Sequence, residues 1–504
     1  MPEQTDVPEQ PKKSELPERQ PEQVDELVIT RHTMMLDGAE LRYTATAGRM
    51  VLRAEGHTDD KFDGAQPKAE VFLTSYVVDR DEGATGPNER PVTFAFNGGP
   101  GSSSIWLHLG LLGPRRVLMG DVGALVPPPY GLTDNNQTLL KHSDLVFIDP
   151  VSTGYSRAIK GEKSKDFHGY SADIESVAEV IRLWTTRNER WMSPKYLCGE
   201  SYGTTRASGI ARHLQERAGL YLNGLMLISA FLDGGSVAFT AGNDYPYVCY
   251  LPTYAAIAHY HGKLGDRSLR EVLTDAEQYA IGEYRRMLAL GARASAEERA
   301  AAIDKIAALT GLSPTYVDAV NLRPEHVRFL TELLRDEHKT VGRIDGRFTG
   351  WDSDYGRERW TTDPSIDAIT GPYSAAFNHY VRAELGYSSD LLYEVLTDRV
   401  RPWSYKEFEA QNLHVLDKLA EAMRVSPHMR VHVACGYYDA ATPYFAAEND
   451  IAHLAIPAEL AANVEFAYYE SGHMMYLHEP SRLDQSARLA RFVTAPREGA
   501  EPQA

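Results

Sequence analysis

From about Leu27 to Asp233, short apolar runs rich in β-branched residues alternate with segments of helical periodicity. The runs at Val92–Phe96, Leu145–Asp149, Tyr196–Cys198 and Leu225–Ser229 predict strands. Between two of them, Ile174, Val177, Ala178, Ile181 and Trp184 recur at helical spacing, which predicts a crossover helix with one face on a sheet. Strand and helix in alternation predict an α/β chain with a mostly parallel sheet, because parallel neighbours need a long return connection. From about Gly234 to Val425 the strand signal fades, and helical runs such as Ser295–Leu309 and Glu325–His338 stand between aromatic and Pro-containing loops. That stretch predicts an inserted helical cap. Arg430–Cys435 and Val464–Tyr469 restore the strand pattern, and Ser481–Phe492 predicts a closing amphipathic helix. The expected organisation is a tail over 1–27, core over 28–233, cap over 234–425, core again over 426–496, and a tail over 497–504. The leading tail is rich in Pro, Glu and Gln and has too few apolar residues to offset the entropy of ordering.

Composition narrows the function classes. The chain has 504 residues, 43% hydrophobic and 24% charged, enough for a sizeable core and an insertion. Lys plus Arg total 52 against 70 for Asp plus Glu, a net charge of −18, which disfavours nucleic acid and anionic membrane as partners. Cys198, Cys249 and Cys435 are scattered, without metal-type pairing or the even count of a disulfide framework. With no apolar stretch near the start of the chain, the cytoplasm is the expected location.

The chemistry begins at Tyr196-Leu-Cys-Gly-Glu-Ser-Tyr-Gly203, where Gly199-Glu200-Ser201-Tyr202-Gly203 joins a strand to a helix. A serine hydroxyl is a poor nucleophile at neutral pH, so it needs a sharp exposed turn and a histidine to take its proton. Two later strands supply the partners in the order expected of an α/β-hydrolase: Asp439 follows the first, His473 the second. Ser201, Asp439 and His473 are therefore the candidate triad, acting through an acyl-enzyme. Asp149 also ends a strand, but it precedes Ser201 and breaks the order. The loop Asn97-Gly-Gly-Pro-Gly-Ser-Ser-Ser104 follows Val92–Phe96 and offers backbone N–H groups to a developing oxyanion. It lacks the lysine of a phosphate loop, and no G-x-G-x-x-G follows the first strand, so no nucleotide cofactor is expected.

NGGPGSSS at Asn97–Ser104, FIDPVSTGYS at Phe147–Ser156, GESYG at Gly199–Gly203, the Asp439 loop and GHM at Gly472–Met474 fall in one order. In these blocks the chain resembles the serine carboxypeptidases typified by carboxypeptidase Y and its plant relatives, as a member without disulfides. The resemblance implies the α/β-hydrolase fold, a mostly parallel central sheet with an inserted helical cap, and release of C-terminal residues from peptides. It implies an oxyanion hole from the N–H groups of Gly99 and Tyr202. It also implies a site for the substrate's carboxylate at Asn97, Gly98 and Glu200. Two positions depart from the family pattern. Leu111 stands where lysosomal and vacuolar members carry Glu, and Ser102 where they carry Cys. The first change removes the usual partner of Glu200.

The same triad also serves esterases and acyltransferases, and the substrate expected is a peptide or a small acyl compound. No metal is expected: the pairs His259 with His261 and His473 with His478 lack a third ligand and the H-E-x-x-H spacing.

Overall fold

The protein was analysed as a computed structural model that describes residues 23–79, 90–120, 122–409 and 411–495. The expected tail over 497–504 and the first 22 residues of the leading one lie outside the described residues. Strand β1 (Glu26–Leu36) starts inside the remainder of that leading stretch, where Asp25 accepts a hydrogen bond from the Val51 N–H at 2.9 Å.

The central sheet also contains β2 (Ala39–Thr58), β3 (Lys61–Val78), β4 (Val92–Phe96), β5 (Asp144–Ile148), β6 (Lys195–Glu200), β7 (Gly224–Ile228), β8 (Arg430–Gly436) and β9 (Val464–Tyr469). Their spatial order is β1-β2-β3-β5-β4-β6-β7-β8-β9, with the two-residue strand Arg157–Ala158 beside β3. From β5 to β9 every pairing is parallel; β1, β2 and β3 are added antiparallel at one edge. Strands β4, β5, β6 and β7 are buried along their whole length, as parallel strands covered on both faces should be.

Helix α1 (Tyr170–Arg187) buries Ile174, Val177, Ala178, Ile181 and Trp184, the residues whose spacing marks its apolar face. Trp184 meets Phe94 edge to face at 5.5 Å between centroids, a geometry worth about 0.5–1.5 kcal/mol beyond burial. Helix α2 (Tyr202–Ala218) follows β6, and Gly219 ends it at φ +60°, a backbone state that glycine adopts without penalty.

Residues 234–425 do not form one separate lid. Helix α3 (Tyr245–Tyr260) and the helices after it extend the apolar core on the face of α1 and α2. Helix α4 (Pro364–Ala383) instead joins the core on the opposite face, where Phe377 and Tyr380 pack with Phe72 and Tyr76. Helix α5 (Leu416–Val425) returns to the first face, where its buried Leu419 and Met423 share a core with Leu214 of α2. The insertion thus wraps the sheet. After it, β8 and β9 complete the sheet and helix α6 (Glu479–Thr494) packs last.

Candidate active site

Ser201 lies between β6 and α2 with φ 60° and ψ −129°, a strained conformation for a residue with a side chain. Its N–H donates to Ile228 O at 2.9 Å, and its carbonyl accepts from the Thr204 N–H and hydroxyl at 2.8 and 2.7 Å. The turn needs both of its glycines. A Cβ on Gly199 would stand 2.2 Å from Gly203 O, and one on Gly203 would stand 2.7 Å from Phe96 O. Gly98 presses on the same elbow, where a Cβ would meet Tyr202 N at 2.5 Å. Arg206 ties the two segments together. Its guanidinium donates to Asn97 O at 2.5 Å and to Asp173 at 2.8 Å, and lies over the rings of Phe96 and Tyr202.

Ser201 and His473 line one cavity of about 440 Å³, together with Asn97, Gly98, Gly99 and Glu200. Tyr202 lines it too. The N–H groups of Gly98, Gly99 and Tyr202 reach no protein acceptor among the described residues, so three backbone donors are available to a ligand there.

Behind the cavity, His473 Nδ1 lies 2.7 Å from Asp439 Oδ2. Asp439 is itself held: its Oδ1 accepts from the N–H groups of Ala441 and Thr442 at 2.8 and 3.0 Å, and its Oδ2 from the Thr442 hydroxyl at 2.8 Å. Burial disfavours a charged His473, but the Asp439 charge and hydrogen bond outweigh it and raise the imidazole above its ordinary range. The arrangement fixes Nδ1 toward the carboxylate and leaves Nε2 to the cavity side.

The histidine loop is anchored by a segment of the insertion. Asp345 and Arg347 form a buried bidentate pair at 2.9 and 2.6 Å. Asp345 accepts from the Gly472 N–H at 3.1 Å, while Arg347 donates to Glu470 O at 2.7 Å and Ser471 Oγ at 2.9 Å. The same segment reaches the acid loop, since Ala440 N donates to Arg343 O at 3.0 Å and Gly346 N to Tyr438 O at 2.9 Å. His473 N donates to Ile344 O at 2.7 Å. None of these anchors carries a sequence signal, because Asp345 and Arg347 sit in an irregular stretch far from both loops.

Asn97 and Glu200 come together in the cavity wall. Asn97 Nδ2 donates to Glu200 Oε1 at 2.7 Å, and Asn97 Oδ1 accepts from the Leu107 N–H at 3.1 Å. Glu200 Oε2 accepts from the Tyr476 hydroxyl at 2.6 Å. Leu111 does not leave Glu200 without a partner, because Tyr476 supplies one from the histidine loop. The ring of Tyr476 fits against Gly110, where a Cβ would stand 2.4 Å from it. Burial pushes the Glu200 carboxyl up to about 7, against the nearby His473 charge and the two hydrogen bonds, which favour the ionised form. Tyr476 follows His473 by three residues but lies 276 residues from Glu200, so nothing local in the sequence marks the pair.

Asp149 does not line this cavity. It accepts from the N–H and hydroxyl of Ser104 at 2.8 and 2.7 Å and so braces the glycine loop, with Gly154 packed against its other oxygen. Ser102 accepts from Trp106 Nε1 at 2.9 Å. Cys198, Cys249 and Cys435 are buried free thiols.

The sequence profile of the serine carboxypeptidases matches residues 76–482. The chain belongs to the serine carboxypeptidase family. Membership makes it a serine peptidase by family and gives it the α/β-hydrolase fold that its sheet order displays. No curated protein matches the chain. Among solved structures it is similar to the proline iminopeptidase of Mycobacterium smegmatis, at 13% identity over 88% of this chain and 97% of that one, with a TM-score of 0.36. It is also similar to a lipase in its open form, at 14% identity over 88% and 98% of the two chains and a TM-score of 0.33. Such likenesses are remote. Among the described residues, no helix of this serine carboxypeptidase family member is long and apolar enough to cross a membrane.

Proposed function

We propose that the protein is a carboxypeptidase that releases the last residue of a peptide through an acyl-enzyme on Ser201. His473 takes the Ser201 proton as the hydroxyl oxygen attacks the scissile carbonyl, while Asp439 holds the imidazole and stabilises its charged form. The carbonyl oxygen becomes an oxyanion against the N–H groups of Gly99 and Tyr202, where each donor contributes about 3–4 kcal/mol of barrier lowering. His473 then passes the proton to the leaving nitrogen, and the C-terminal residue departs. A water that gives its proton to His473 attacks the ester and frees the shortened peptide, restoring Ser201.

The observation that carries the exopeptidase reading is Glu200, buried 3% exposed beside Asn97 in the wall that holds Ser201. A charged carboxylate there would repel the substrate's own. A neutral one can donate its proton to it, alongside the Gly98 N–H and Asn97 Nδ2.

With its carboxyl raised to about 7, Glu200 is neutral below that pH and ionises above it, so capture of a free carboxylate is lost as pH rises through about 7. A blocked dipeptide with a free C-terminus should show this alkaline limb in kcat/KM, and its amide should lack it. A profile for the free acid that is flat between about pH 5 and 8 sinks the assignment. Ser201→Ala should lower kcat/KM for both by about 10⁴-fold or more, and retained turnover would remove the acyl-enzyme route.

A further inference from the structure

Resting on the reading of Ser201 as the nucleophile, we propose that Arg343 makes this cavity selective for peptides with a carboxylate side chain on one of the two residues flanking the scissile bond. Arg343 lines the same cavity as Ser201 and His473. Its backbone is pinned at both ends: the N–H donates to Asp363 Oδ1 at 3.1 Å, and the carbonyl accepts from Ala440 N at 3.0 Å. The side chain is only loosely committed. Its nearest carboxylate is Asp363, 3.9 Å from Nε, and the guanidinium makes no hydrogen bond among the described residues. Asp363 meanwhile spends its other oxygen on capping α4 and on the Ser365 hydroxyl.

Arg401, the other cation in the wall, is cancelled by Asp398 at 2.7 Å, and both are largely exposed. Among the described residues of the wall, Arg343 is thus the more weakly paired of the two arginines, with Asp363 at 3.9 Å, and its fork can turn to an incoming anion. Ile344, Ile366 and Ile369 line the same wall, and the Arg343 side chain keeps 38% of its surface exposed, so an incoming carboxylate can reach the guanidinium. Arg343 is also distinct from the Asn97–Glu200 wall. Its charge reaches His473, where it opposes protonation after the larger influences of burial, Asp439 and Glu200, whereas the charges acting on Glu200 are those of His473 and Asp439. An arginine so placed presents two parallel donors to a carboxylate, a geometry that glutamine cannot offer and lysine offers only as a point charge.

Binding to the full-length Ser201→Ala protein isolates recognition from turnover. N-acetyl dipeptides carrying Glu or Gln at the last residue, or at the residue before it, are titrated by calorimetry with free and amidated C-termini. The expected result is about ten- to hundredfold tighter binding of Glu than Gln at one of the two positions, whatever the terminus. Arg343→Gln should bring that ratio to about one, and Arg343→Lys should keep part of it. Equal binding of Glu and Gln peptides overturns the proposal, as does a preference that survives Arg343→Gln. It is also overturned if Arg343→Gln changes only the contrast between free and amidated ends. Hydrolysis of the same peptides by the unmodified protein reports separately on the carboxypeptidase reading. Peptides that bind selectively without being cleaved would sink that reading and leave the role of Arg343 standing.

Discussion

On one side of Ser201, the glycine loop and the elbow hold each other by backbone contacts too close for any side chain: Gly98, Gly199 and Gly203 have no room for a methyl group. On the other side, Asp439 and His473 are held by polar bonds from residues 343–347, with Asp345 127 residues away in sequence from the Gly472 it binds. The first wall is rigid because its parts are adjacent and small. The second is rigid because buried charges and hydrogen bonds bring together loops that the chain has set far apart. Steric closeness should fail locally and abruptly under substitution, whereas a polar clasp should fail through stability and alignment together.

The strongest way to break this contrast is Arg347→Ala. It leaves Asp345 buried with no cation beside it, and removing one member of such a pair costs about 3–5 kcal/mol. A large drop in Tm and in kcat is expected, and denaturant unfolding checks the first. A loss under about 1 kcal/mol would show that the clasp is not what fixes the histidine loop. Next in size is Gly98→Ala, whose methyl would push the glycine loop off Tyr202 N. It should cost about 10²–10³ in kcat, as loss of an oxyanion donor does, raise KM for free-acid peptides because the Gly98 N–H moves with the loop, and lower Tm by less than Arg347→Ala does. Equal losses of stability in the two variants would erase the distinction between the walls.

The smallest effect expected is that of Tyr476→Phe. It removes a hydrogen bond that favours ionised Glu200, so the alkaline limb for free-acid peptides should move upward by about one pH unit. An unmoved limb would mean that Tyr476 only fills space against Gly110.

The same contrast explains what could be read from the residues. The strands β4 to β7 were legible because buried parallel strands are largely apolar runs, β8 and β9 because β-branched and aromatic residues recur in them, and α1 because its buried positions keep helical spacing. The elbow was legible because its chemistry requires glycine, serine and glycine within five consecutive residues. The antiparallel edge β1–β3 was not: β1 alternates between half-buried and exposed positions, and the polar start of β3 has no apolar run to mark it. The wrapping of residues 234–425 around both faces was equally hidden, since helical periodicity shows that a face is buried but not which surface buries it. Leu111 pointed to a Glu200 left without a partner, and Tyr476 corrects this from another loop. A pair separated by 276 residues in sequence has no local pattern to reveal it. Arg343, Asp345 and Arg347 escaped notice for the same reason.

Because residues 343–347 lean on the acid loop and the base loop while Arg343 also lines the cavity, the roof and the engine of this enzyme are one mechanical part. Grafting another insertion onto the sheet to alter substrate choice would take away the scaffold of His473 as well, unless those five residues travelled with the graft.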